Sequence, residues 1–186
     1  DKPEPRWLHT AVMDGPPQGK TPGSVNWSGY KAKMYVYGGV TFGGSPLDSL
    51  FEFDVTKKKW RRMKMGGYPP FPRMLHSSVY AYGKVFVMFG ASNNLRFEDM
   101  TYYDVVDESW HEIIQTNPIP FAREGAGICL VTPPESQFYP DYRSAWLPPA
   151  DGRRKKFGRQ EVRYRHMYNG DKFFIVFGGA ATGPVH

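Results

Sequence analysis

One pattern occurs twice at full length, and an internal repeat restricts the possible folds of a chain more than any single motif does. The stretch KMYVYGGVTFGGSPLDSLFEFDVTKKKW (33–60) matches KVFVMFGASNNLRFEDMTYYDVVDESW (84–110) segment for segment. In each, an alternating apolar run ends at small residues, Gly38-Gly39 or Gly90-Ala91. A polar loop follows, and a second alternating run leads to a tryptophan. Six residues separate Phe53 from Trp60, six separate Tyr103 from Trp110, and the tryptophans stand 50 positions apart. A third copy opens late with DKFFIVFGG, ending at Gly178-Gly179. Alternation of this kind predicts strands, because successive side chains on a pleat point to opposite faces. The glycines predict sharp turns where a neighbouring backbone comes too close for a Cβ.

Upstream of each glycine strand lies another strand with its own signature. PRWLHTAVM (5–13) and PRMLHSSVYAY (72–82) share Pro-Arg and a histidine three residues after the arginine. FAREGAGICLV (121–131) keeps the arginine, Arg123, and lacks the histidine. Each repeat therefore reads as an arginine strand, a glycine strand, an aromatic strand and a short strand at the tryptophan.

This pattern resembles the kelch repeat family, and the resemblance covers most of the chain outside two insertions. It implies an all-β fold, a kelch-type β-propeller of four-stranded antiparallel blades, incomplete at about two and a half blades. Blade one is expected over 5–62 with an insertion at about 14–30, and blade two over 72–114. A partial blade three is expected over 121–179, with an insertion at about 132–170. Gly38, Gly39, Phe53, Trp60, Gly90, Tyr103, Trp110, Gly178 and Gly179 form the structural signature. Trp60 and Trp110, equivalent in the repeat, are expected to fill the space between adjacent sheets in the same way.

The insertions fall in corresponding hairpins. His76 to Lys84 is an interval of 8 residues, whereas His9 to Lys33 is 24 and Ala126 to Lys172 is 46. Insertions on one side of a repeat array are common at binding sites. The larger one is rich in proline and aromatics and then basic: Asp151 to His166 holds seven Arg or Lys and two acids, so most of the net charge of +6 is local. Arg153, Arg154, Lys155, Lys156, Arg159, Arg163 and Arg165 are the candidate partner-binding residues. Such a stretch suits an acidic protein surface, or RNA if Phe157 and Tyr164 stack on bases. In the smaller insertion GPPQGKT is not a phosphate loop, because the glycine spacing is one short and two prolines remove the required N–H donors.

Catalysis has little to draw on. The five histidines are scattered, and none has metal-ligand spacing with a cysteine or carboxylate. Kelch-type propellers include copper oxidases, yet Cys129, the single cysteine, sits in the apolar run GICLV with no motif around it and is expected to be a core residue. No metal, cofactor or catalytic residue is expected. The longest apolar runs are strand-sized, so no membrane-spanning helix is expected. No signal peptide opens the chain, which suggests an intracellular, cytoplasmic setting, although the opening DKPEP lacks an initiator methionine. The resemblance implies a non-catalytic protein–protein interaction scaffold within a larger protein or assembly. The alternative is a component of a ribonucleoprotein or other large complex, contacting RNA or an acidic surface through 151–166.

Overall fold

The computed structural model describes residues 2–14, 31–114, 120–131, 162–165 and 173–181, and these contain strands and turns with no helix. Strands β1 (Thr10–Met13), β2 (Lys33–Tyr37), β3 (Leu50–Asp54) and β4 (Lys59–Arg62) form one antiparallel sheet in chain order. Next come β5 (Gly66–Gly67), β6 (Ser77–Ala81) and β7 (Lys84–Met88). A small hairpin of β8 (Ala91–Ser92) and β9 (Leu95–Arg96) precedes β10 (Met100–Asp104) and β11 (Ser109–Glu112). The second sheet repeats the first as β6-β7-β10-β11, and β5 joins β11 in parallel at the outer edge. The chain is thus all-β, with four-stranded antiparallel blades that do not close a ring.

The six-residue spacing has a direct geometric meaning. Phe53 pairs across the hairpin with Trp60, and Tyr103 with Trp110, so the aromatic and the tryptophan sit side by side on one face. Four-residue turns join them, with Lys58 and Glu108 in the left-handed region. Between Ala81 and Lys84 the connection is a two-residue turn in which Tyr82 and Gly83 both have positive φ, as a tight hairpin requires.

The core lies between blades rather than within them. Tyr35, Tyr37, Leu50 and Met63 of blade one pack against Val85, Val87, Tyr103 and Trp110 of blade two. On the other face of blade two, Phe86, Met88, Phe89 and Met100 pack against Phe174 and Val176. The two tryptophans therefore differ. Trp110 is fully buried, 5.0 Å from the Tyr37 ring and 5.2 Å from Tyr103. Trp60 is half-buried against Phe53, on the side of blade one turned away from blade two. Their sequence equivalence does not carry over to burial, because the neighbouring blade supplies the cover. Cys129 corrects the sequence reading for the same reason: it is exposed, because its partner in register is Ile175, on the face of the third sheet turned away from blade two.

The third unit comprises β12 (Arg123–Glu124), β13 (Gly127–Val131), β14 (Val162–Arg165), β15 (Phe173–Phe177) and β16 (Ala180–Ala181). Its main sheet runs β13-β15-β14, and β12 pairs with β16. β14 comes from the stretch read as an insertion and takes the position that β3 and β10 hold in the other blades. Its register is theirs too. Tyr164 pairs with Phe174, as Phe53 pairs with Met34 and Tyr103 with Val85.

The register also realigns the glycine signature. Gly39 and Gly90 are equivalent, so the partner of Gly38 is Phe89 and not Gly90. Phe89 holds φ 61° where Gly38 holds 62°. A Cβ on Gly38 would lie 2.6 Å from Arg73 O and 2.8 Å from His76 Cε1, both of the next blade. Beyond blade two that histidine's place is taken by Ala126, which packs against the cluster containing Phe89. At the next seam a phenylalanine stands where blade one has Gly38, and an alanine where blade two has His76. Burial of the whole Phe89 ring offsets a left-handed backbone that costs about 1–2 kcal/mol.

Two predictions follow from this packing. Trp110→Ala should destabilise the chain by about 3–5 kcal/mol, and Trp60→Ala by clearly less, as measured by denaturant melts. Ala126→His should be strongly destabilising alone and partly rescued by Phe89→Gly, a coupling of about 1–3 kcal/mol in a double-mutant cycle. Additive effects would show that the two positions do not share one space.

Candidate interaction surface

The registers assign the described turns and strand ends to one of two ends. Thr10 lies beside Tyr37, Tyr37 beside Leu50, and Phe51 beside Arg62. The β2–β3 loop, the start of β1 and the end of β4 therefore share one end of blade one, and the same holds in blade two. The opposite end holds the β6–β7 turn, the end of β1 with the start of β2, and the end of β13 with the start of β15, where Met13 meets Met34, Ala81 meets Lys84 and Val131 meets Phe173.

The first of these ends is organised around buried arginines. Arg73 has no exposed surface. Its Nε donates to Phe71 O at 3.0 Å, Nη1 to Phe89 O at 2.8 Å, and Nη1 and Nη2 to the two carboxylate oxygens of Asp99 at 2.7 Å each. This bidentate geometry satisfies a buried charge that would otherwise be expensive. The guanidinium also lies 4.3 Å from the Phe97 ring centroid. Arg123 repeats part of the arrangement, donating to Phe121 O at 3.0 Å and Gly178 O at 3.1 Å. Each arginine thereby pins the loop two residues upstream of it.

Those pinned loops present apolar side chains to solvent. Phe71, 72% exposed, stacks on Phe97 with centroids 6.2 Å apart and planes 6° from parallel. Phe42, 94% exposed, sits edge-on to Trp7 at 6.2 Å. Leu8, Leu95 and Phe121 are exposed at the same end. Surface aromatics held on rigid, hydrogen-bonded loops are the usual anchors of protein interfaces.

At the seam between blades one and two lies a buried histidine. His76 Nε2 and Thr10 Oγ1 are hydrogen-bonded at 2.7 Å, Thr10 Oγ1 and Ser78 Oγ at 2.7 Å, and the ring meets Tyr37 edge-on at 5.3 Å. His76 Nδ1 is buried without a hydrogen bond. Burial pushes the imidazole pKa down to about 3, helped by Arg73 and His9. Among the described residues no three His, Cys, Asp or Glu side chains gather as a metal-ligand set.

Arg153, Arg154, Lys155, Lys156 and Arg159 lie outside the described residues. Arg163 and Arg165 lie in β14, paired with Ile175 and Phe173. Gly38, Gly39, Phe53, Trp60, Gly90, Tyr103, Trp110, Gly178 and Gly179 all belong to the repeated sheets and their turns. The aromatic end is a feature that the sequence reading missed. A signal for it was present, since Phe71 and Phe121 each stand two residues before a repeat arginine.

Comparisons with known proteins agree with this architecture. Residues 1–135 match the model of the KLHDC2/KLHL20/DRC7 Kelch-repeats domain. The chain is 26% identical over 209 residues to the leucine-zipper-like transcriptional regulator 1 homolog of Drosophila melanogaster, covering 98% of this chain and 20% of that protein. It is 32% identical over 88 residues to host cell factor 2 of Homo sapiens, covering 47% of this chain and 10% of that protein. A Rho GTPase-activating protein, gacHH, of Dictyostelium discoideum is 26% identical over 81 residues, covering 42% and 5%. The chain thus spans a fifth or less of the length of these relatives.

The buried histidine generates a pH prediction. Its folded-state pKa lies below the value of 6.5 in an unfolded chain, so the unfolded state binds the proton first as pH falls. The neutral seam is fully stable above pH 6.5 and loses roughly 4 kcal/mol of stability by pH 3 from this group alone. His76→Gln should flatten the slope of stability against pH across that window. An unchanged slope in equilibrium melts would show that His76 is already protonated or exposed in the folded chain.

Proposed function

The chain belongs to the kelch-repeat family, and from that premise we propose that it is a non-catalytic protein-interaction scaffold whose partner docks on the aromatic end of the blades. The observation that carries this reading is the set Trp7, Phe42, Phe71, Leu95 and Phe121, exposed at one end, with Phe71 and Phe121 on loops anchored by buried arginines. Rigid anchors lose little conformational entropy on binding, which makes them effective contact points. In the larger protein of which relatives of this length are examples, the blades would supply the recognition surface and other segments the effector role.

The basic stretch 151–166 is a second element of the proposal, as a contact for an acidic protein surface. The relatives give no support to an RNA partner. A cytoplasmic setting belongs to the proposal and would be read from the localisation of the tagged protein.

The test separates the two ends. Phe42→Ser with Phe71→Ser should leave the melting temperature within about 2 °C and weaken binding of a partner recovered by crosslinking at least tenfold. Replacing Arg153 to Lys156 by glutamine should reduce the salt dependence of binding while leaving most of the affinity. If the aromatic variant binds with full affinity and the basic variant does not bind, the docking surface is the basic stretch and not the aromatic end.

A further inference from the structure

The three repeat arginines are placed alike but completed differently. In blade two the residue just before β10 is Asp99, whose carbonyl accepts from Phe89 N at 3.2 Å and whose carboxylate clamps Arg73. In blade one the residue just before β3 is Ser49, whose carbonyl accepts from Gly38 N at 3.3 Å. Ser49 therefore holds the position of Asp99. Arg6 keeps the other contacts of its counterpart, with Nε donating to Glu4 O at 3.3 Å and Nη1 to Gly38 O at 3.0 Å. Its Nη2 is buried without a hydrogen bond, and so is Ser49 Oγ. The nearest acid is Glu4, whose Oε1 stands 3.7 Å from Nη2 on a side chain 55% exposed. That separation is an ion pair and too long for a hydrogen bond.

The surroundings of Arg6 favour an anion. Its side chain is 4% exposed, and the guanidinium lies 5.2 Å from the Phe51 ring centroid. Phe51 alternates with Leu50 and so belongs to the face of blade one turned away from blade two. Arg62 adds positive potential to Arg6 on this side, opposed by the exposed Glu4. A guanidinium in such a place is costly unless a planar acceptor completes its fork.

We propose that Arg6 and Ser49 form a carboxylate-recognition site, taking an aspartate or glutamate side chain presented by an element that packs on the face of blade one turned away from blade two. The incoming carboxylate takes the place that Asp99 fills in blade two, accepting from Arg6 Nη2 and from the Ser49 hydroxyl. Glu4, exposed and loosely paired, moves aside. The partner element of this face therefore carries an acid where it meets the start of β1. This inference does not depend on a partner binding the aromatic end.

The full chain provides the test. Ser49→Asp restores in blade one the clamp of blade two and should raise the melting temperature by about 5 °C, whereas Asp99→Ser should lower it comparably. Sodium formate, compared with sodium chloride at equal ionic strength, should shift the Arg6 Nε nuclear resonance saturably in the wild type and not in Ser49→Asp. The proposal is overturned if formate leaves that resonance unmoved in the wild type. It is equally overturned if Glu4→Gln lowers the melting temperature as much as Asp99→Ser and formate acts only in that variant, because Glu4 then already fills the site. Should Ser49→Asp fail to fold, the wild-type and Glu4→Gln titrations decide alone.

Discussion

Neighbouring blades are joined first by backbone, and the side-chain packing depends on how close that backbone comes. Gly39 N donates to Arg73 O at 2.9 Å, and Gly90 N to Arg123 O at 2.8 Å. Leu75 N donates to Leu8 O at 3.1 Å, and Gly125 N to Leu75 O at 2.8 Å, so the arginine turns of successive blades are hydrogen-bonded to one another as well. Within each blade a Cβ on Gly39 would fall 2.7 Å from Trp7 O, and one on Gly90 would fall 2.8 Å from Met74 O. Only glycine permits that approach, which sets the turn that reaches the next blade. The turns themselves adopt left-handed backbone at Leu8, Leu75 and Gly125, a cost of about 1 kcal/mol at each leucine that the guanidinium contacts hold in place.

The parts of the fold legible in the sequence are those that depend on residues within one repeat. Strand alternation and the four-stranded antiparallel repeat read correctly, because period and spacing are local quantities. What depended on the neighbouring blade was not legible. Trp60 and Trp110 look identical in sequence and differ in burial. Cys129 looks like a core residue and is exposed. Phe89 reads as an ordinary strand residue, yet it occupies the backbone conformation of Gly38 and packs in a cluster that includes Ala126, 37 positions away.

The candidate site was hidden by a different obstacle. Strong charge in a short stretch stands out in composition, so 151–166 drew attention, whereas exposed aromatics are indistinguishable in sequence from buried ones. Phe71 and Phe86 are the same residue type, and one is 72% exposed while the other is 1% exposed. What separates them is loop against strand, and that distinction becomes informative only when the arginine two residues on is seen to pin the loop.

β14 shows how far pattern can stand in for connectivity. Its sequence, VRYR, lies in a stretch whose basic composition suggests a solvated loop, yet it pairs with β15 in the register of a third strand. The position asks little of a sequence: an aromatic at one register point and extended backbone on either side. Tyr164 supplies the first, and alternation of Val162 and Tyr164 with two arginines is compatible with the second. Where β3 and β10 end in Asp54 and Asp104, β14 ends in Arg165. Asp104 pairs with Lys84 at the start of β7, and the matching position of β15 is Phe173, not a lysine. The third sheet thus carries a basic strand where the other two carry one that ends in an acid.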